Sequence, residues 1–117
     1  MSYDISIWVP ARPACAHCDR GPDDETCAGR WDPTWNLGPM LRAAGFEPGS
    51  DSPLHGRPAT EWAAVLRGAI ERMEAEPERF RAMNPENGWG SYDGILPVLR
   101  EMLEVCERYP HAIGWTR

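Results

Sequence analysis

The most constraining stretch of this chain is the amphipathic segment 94–109, in which Leu96, Leu99, Met102, Leu103 and Cys106 recur at three- and four-residue steps. That spacing makes one apolar stripe along a helix, and such a stripe has to be buried against a second layer. Directly before it runs Asn84-Pro-Glu-Asn-Gly-Trp-Gly-Ser-Tyr-Asp93. Gly88 and Gly90 let the backbone turn tightly around Trp89, and Ser91 is placed to accept from the first free amides as an N-cap. Pro97 interrupts the pattern, so the helix either begins near Leu96 or bends there for want of one hydrogen bond.

A second helix is expected after Pro58, where Trp62, Val65, Leu66, Ala69, Ile70 and Met73 share a stripe. Arg67, Glu71, Arg72 and Glu74 fall on its other side. Shorter helices are expected over 40–44, stopped by Gly45, and over 78–83, started by Pro77. Tyr3, Ile5, Ile7 and Val9 alternate with Asp4, Ser6 and Trp8, the period of a half-buried strand that Pro10 ends. A short middle strand is expected over 30–36 from the β-favouring Trp31, Thr34 and Trp35, and a closing strand around Ala112, Ile113 and Trp115. Paired terminal strands give an α+β fold. The expectation is a small antiparallel sheet with a short middle strand, packed by two main helices and one or two short ones. At 117 residues the chain is read as a single domain, 1–117, with 11–30 as a loop-rich, cysteine-containing insertion.

The formal net charge is −6, from 18 acidic side chains against 12 arginines and no lysine. A nucleic-acid backbone binder needs a clustered basic face, so that class is not expected. No apolar run approaches the roughly 18–20 residues of a membrane span. The start of the chain lacks the basic region and small-residue cleavage site of a secretion signal, which points to the cytosol.

Cys15-Ala-His-Cys18 followed by Cys27 is half of a tetrahedral zinc knuckle and would hold a structural zinc through Cys15, Cys18 and Cys27. The fourth ligand is missing: His17 lies within the turn, and His55 or Asp32 would have to arrive from elsewhere. The alternative is free thiols in a surface loop. Cys106 belongs to the helix stripe and reads as core. Ser50, Ser52 and Ser91 lack a nucleophile elbow, His55 and His111 stand alone, and there is neither a P-loop nor a dinucleotide fingerprint. An enzyme is therefore not expected.

A binding constellation remains. Trp31, Thr34, Trp35 and Asn36 form one polar-aromatic segment; Asn87, Trp89, Tyr92 and Asp93 form another. Indoles stack on planar rings, and amides or carboxylates read hydrogen-bonding edges, which together suit a flat, nucleotide-like ligand. The competing reading is that the indoles are core and the Asn-Gly pairs are turns.

Several stretches carry a resemblance: the opening Met1-Ser-Tyr-Asp-Ile-Ser6, Thr34-Trp-Asn36 leading into Pro39-Met40 and Ala43-Ala-Gly45, Ala69-Ile-Glu-Arg-Met-Glu74, and Asn84-Pro-Glu-Asn-Gly-Trp-Gly-Ser-Tyr92. In these the chain resembles a family of small actinobacterial and bacteriophage proteins to which no activity is attached. The resemblance implies a phage or prophage context, hence a host cytosol. The cysteine loop is less regular in that family, which counts against metal binding as a shared function. Two functions fit that setting: capture of a small nucleotide-like signal, as in counter-defence, or docking onto a host protein, with the cysteine loop as a structural zinc site. The sheet edges left by so few strands are compatible with a homo-oligomer.

Overall fold

The computed structural model describes residues 1–9 and 26–117. Its order is β1 (Ile5–Val9), β2 (Thr26–Trp31), a 3-10 turn (Trp35–Leu37), α1 (Gly38–Ala44), β3 (Arg57–Pro58), α2 (Ala59–Ala75), α3 (Pro77–Arg81), α4 (Tyr92–Arg108) and β4 (Ile113–Thr116). The strands form one antiparallel sheet in the order β2-β1-β4-β3, so the two terminal strands do pair at its centre. This is the α+β arrangement expected from the sequence.

Alternation sorts β1. Ile5 and Ile7 have no exposed surface and join one core with Trp62, Leu66, Leu99 and Met102 from α2 and α4. Each such side chain contributes roughly 2 kcal/mol by leaving water. Glycine makes the fit possible. A Cβ at Gly114 of β4 would collide with the Trp62 indole, and one at Gly29 of β2 with Trp31. Trp62 is fixed further by its Nε1–H, which donates to the Leu54 carbonyl at 2.8 Å.

The helices start and stop where local chemistry dictates. α1 ends at Gly45, whose φ of 97° is left-handed, and the Phe46 amide then reaches the Leu41 carbonyl at 2.9 Å. α4 begins at Tyr92, not near Leu96, because Ser91 caps it by accepting from the Gly94 amide at 3.0 Å. Pro97 is carried on an exposed position inside that helix.

The middle strand differs from expectation. It runs over Thr26–Trp31, and residues 35–37 form a 3-10 turn instead of continuing it. Pro33 has no amide to offer a ladder, and Thr34 caps the turn through its hydroxyl. β3 is two residues long and was not foreseen. Among the described residues, no helix is long and apolar enough to cross a membrane.

Candidate ligand-binding cleft

A cleft of about 370 Å³ opens where the end of β2 meets the start of α4. Its construction begins with the N-terminal chain. The Tyr3 amide donates to the Pro33 carbonyl at 2.8 Å and the Trp35 amide to the Met1 carbonyl at 3.1 Å, which pins residues 33–35. The tryptophan loop then closes against them. Gly90, with φ 92°, brings its backbone so near that a Cβ there would sit 2.8 Å from both Leu37 Cγ and Thr34 Cγ2. Glycine is required at this position by conformation and by space alike.

Polar side chains tie the two segments. The Asn87 amide donates to Asn36 Oδ1 at 3.3 Å, and the Asn36 amide donates in turn to Thr34 Oγ1 at 3.0 Å. Asn87 Oδ1 accepts from the Trp89 amide at 2.9 Å, and Asn84 Oδ1 from the Tyr92 amide at 2.8 Å. The loop is therefore held by its own asparagines before any ligand arrives.

The eight residues read from the sequence separate into three groups. Trp31 and Thr34 line the cleft. Asn36 and Asn87 do not line it but join its two walls, as above. The others point elsewhere. Trp35 and Trp89 are 49% and 65% exposed and lie outside the lining, although their segments abut. Tyr92 is buried, its hydroxyl donating to the Met73 carbonyl at 2.9 Å. Asp93 is exposed and bound by Arg81, whose guanidinium reaches it at 3.1 and 3.4 Å. The guanidinium of Arg81 also lies 5.0 Å over the Tyr92 ring.

The cleft uses residues that the motif reading passed over. Leu37, Ile95 and Val98 give it an apolar wall, and Arg30, Asp32 and Ser91 add charge and a hydroxyl. Ile95 and Val98 are three apart on α4 and flank the main stripe, so apolar side chains just off that stripe were the available signal.

The cysteine site stands differently. Cys15 and Cys18 lie outside the described residues. Cys27 is exposed on β2, its thiol 3.5 Å from the Gly29 carbonyl, and no group of three or more metal-ligating side chains occurs among the described residues. The His55 Nδ1–H donates to the Thr116 carbonyl at 2.8 Å. Cys106 is core, as its place on the stripe implies; burial, with the Glu107 carboxylate as the smaller cause, pushes its thiol up to about 12. At that value the thiolate needed for nucleophilic chemistry is negligible at neutral pH.

Chemically, the cleft offers an apolar wall with one indole, two hydroxyls and a pair of opposite charges. No family model, curated protein or solved structure matches the chain.

Proposed function

We propose that this protein binds a small, flat, nucleotide-like molecule in the cleft between β2 and α4, and acts by capturing it and not by transforming it. The supporting observation is the convergence of two segments far apart in the chain on one hollow with an apolar wall and a polar rim. The ring system would lie against Leu37, Ile95 and Val98, with Thr34, Ser91 and Asp32 available to its hydrogen-bonding edge and Arg30 to a phosphate. The volume of about 370 Å³ stands at the small end of ligand pockets, suited to one nucleotide. In the phage context implied by the resemblance, such capture would withdraw a nucleotide signal from a host pathway.

A second reading rests on a separate observation: the indoles of Trp35 and Trp89 face water from adjoining segments. Exposed tryptophans are frequent anchors of protein interfaces, so this corner would dock a host protein. One experiment separates the two. Isothermal titration with a panel of cyclic and ADP-ribose-type nucleotides should give heat that Val98→Glu abolishes and a Trp35→Ala/Trp89→Ala double variant leaves intact. Heat from no member of the panel sinks the capture reading. A lysate partner retained by Val98→Glu and lost with the two indoles then favours docking.

A further inference from the structure

The face of the sheet opposite the helices holds a second concentration of chemistry. Alternation along β1 puts Asp4, Ser6 and Trp8 on the side away from Ile5 and Ile7. Cross-strand register extends the set. Ser6 is opposite Arg30 on β2 and Trp115 on β4, and directly opposed residues project from the same side of a sheet. Asp4 and Arg117 exchange backbone hydrogen bonds of 3.0 and 2.9 Å, which makes them an opposed pair as well. These six residues line one cleft of about 230 Å³.

Its charge is unusual for this molecule. Every described arginine outside the cleft is engaged: Arg72 donates to the Ala44 carbonyl at 2.9 Å, and the rest are ion-paired with carboxylates. Arg30 meets Asp4 only at 3.6 Å, beyond hydrogen-bond length, and Arg117 has no carboxylate partner among the described residues. The cleft thus holds two guanidiniums and one carboxylate, which only Arg30 approaches. Both indoles are fixed in place. Trp8 donates from Nε1 to Ser6 Oγ at 3.0 Å. Trp115 meets the His55 ring edge-on at 5.1 Å and lies close enough to Gly56 that a Cβ there would be 3.3 Å from it.

We infer that this face binds a small aromatic anion, its phosphate or carboxylate seated on Arg30 and Arg117 and its ring against Trp8 and Trp115. Guanidinium forks match the paired oxygens of a carboxylate or phosphate, and indole faces match rings. Walls already fixed by Ser6, His55 and Gly56 spare the ligand the entropy of ordering them. The volume fits a single ring, not the nucleotide assigned to the β2–α4 cleft. Arg30 lines both clefts, so the two assignments are told apart by Arg117, Trp8 and Trp115, which line only this one, and by Val98, which lines only the other.

Phenyl phosphate, phenol and inorganic phosphate are the probes, read by the indole Nε1–H NMR signals of Trp8 and Trp115. Phenyl phosphate should shift both signals, phenol neither, and inorganic phosphate should bind about tenfold more weakly for want of the ring. Arg117→Gln should weaken phenyl phosphate binding about tenfold, and Asp4→Asn should tighten it several-fold by removing the competing charge. Val98→Glu, which fills the other cleft, should leave it unchanged. The inference is overturned by unmoved Trp8 and Trp115 signals, by equal binding of phenol or inorganic phosphate, or by Arg117→Gln binding like the wild type.

Discussion

On the helix-covered face of the sheet an indole rests on a glycine of β4; on the opposite face β4 presents an indole of its own. The two positions, Gly114 and Trp115, are neighbours in the chain. Gly114 is empty because Trp62, with no exposed surface and its N–H bound to Leu54, occupies the space a side chain would need. Trp115 stands half-buried against His55 and Gly56. A tryptophan's fate here is decided by strand register and by whether its neighbour leaves room, not by its hydrophobicity. The sharpest way to break this comparison is Gly114→Ala. A methyl group there must displace a pinned indole or open the sheet, and overpacking of this kind costs about 3 kcal/mol. Against a total of about 5–15 kcal/mol, that is a large fall in the urea midpoint. An unchanged midpoint would show that Trp62 does not rest on this strand.

The same test on the opposite face has a smaller expected effect. Ser6 is only 6% exposed although it faces away from the helices, because Trp8 lies over it and bonds its hydroxyl. Ser6→Ala removes the acceptor and should cost about 1 kcal/mol, the net worth of one neutral hydrogen bond. The more telling readout is local. Exchange of the Trp8 indole proton should quicken while that of Trp62 keeps its wild-type rate. If both quicken together, the two faces are not independent layers.

The difference between the faces also explains what could be read in the sequence. The pattern Tyr3 to Val9 declares its two sides, and the stripes of α2 and α4 declare theirs, so the layers and the pairing of the terminal strands were legible. β2 was misplaced because Thr26 to Gly29 carry no alternation, whereas Trp31, Thr34 and Trp35 carry β-favouring side chains into what Pro33 and a Thr34 cap make a turn. β3, at two residues, is too short to have a period. Of the cleft, Trp31 and Thr34 were legible as a polar-aromatic pair. Ile95 and Val98 showed only as apolar positions beside the α4 stripe, which read as core whether or not they also face a hollow, and Leu37 stands alone in a turn with no period to mark it. The six tryptophans could not be sorted at all from composition. Trp35 and Trp89 are exposed because each sits in a turn, and a turn's outward direction has no sequence period.

The smallest expected effect lies at the sheet's short edge, where the charges are most exposed and packing least decisive. Arg57 of β3 donates through Nε and Nη2 to both carboxylate oxygens of Glu61 in the first turn of α2. That hydrogen bonding, opposed by slight desolvation and aided by the guanidinium charge, holds the Glu61 carboxyl below its ordinary value. The sign follows directly. A carboxylate whose folded value is depressed stabilises the fold above its unfolded value, and the contribution drains away as pH falls through the folded one. Both partners are about half exposed, at 53% and 45%, so water screens the pair and its worth is small despite good geometry. Glu61→Gln should therefore leave the neutral-pH midpoint nearly where it was. Whatever difference exists should shrink to nothing as the solution is acidified through the depressed folded-state value, below which the wild-type carboxylate is itself protonated. A difference that grows with acid would mean that Glu61 serves the fold in its neutral form. The edge would then be held by a hydrogen bond and not by charge.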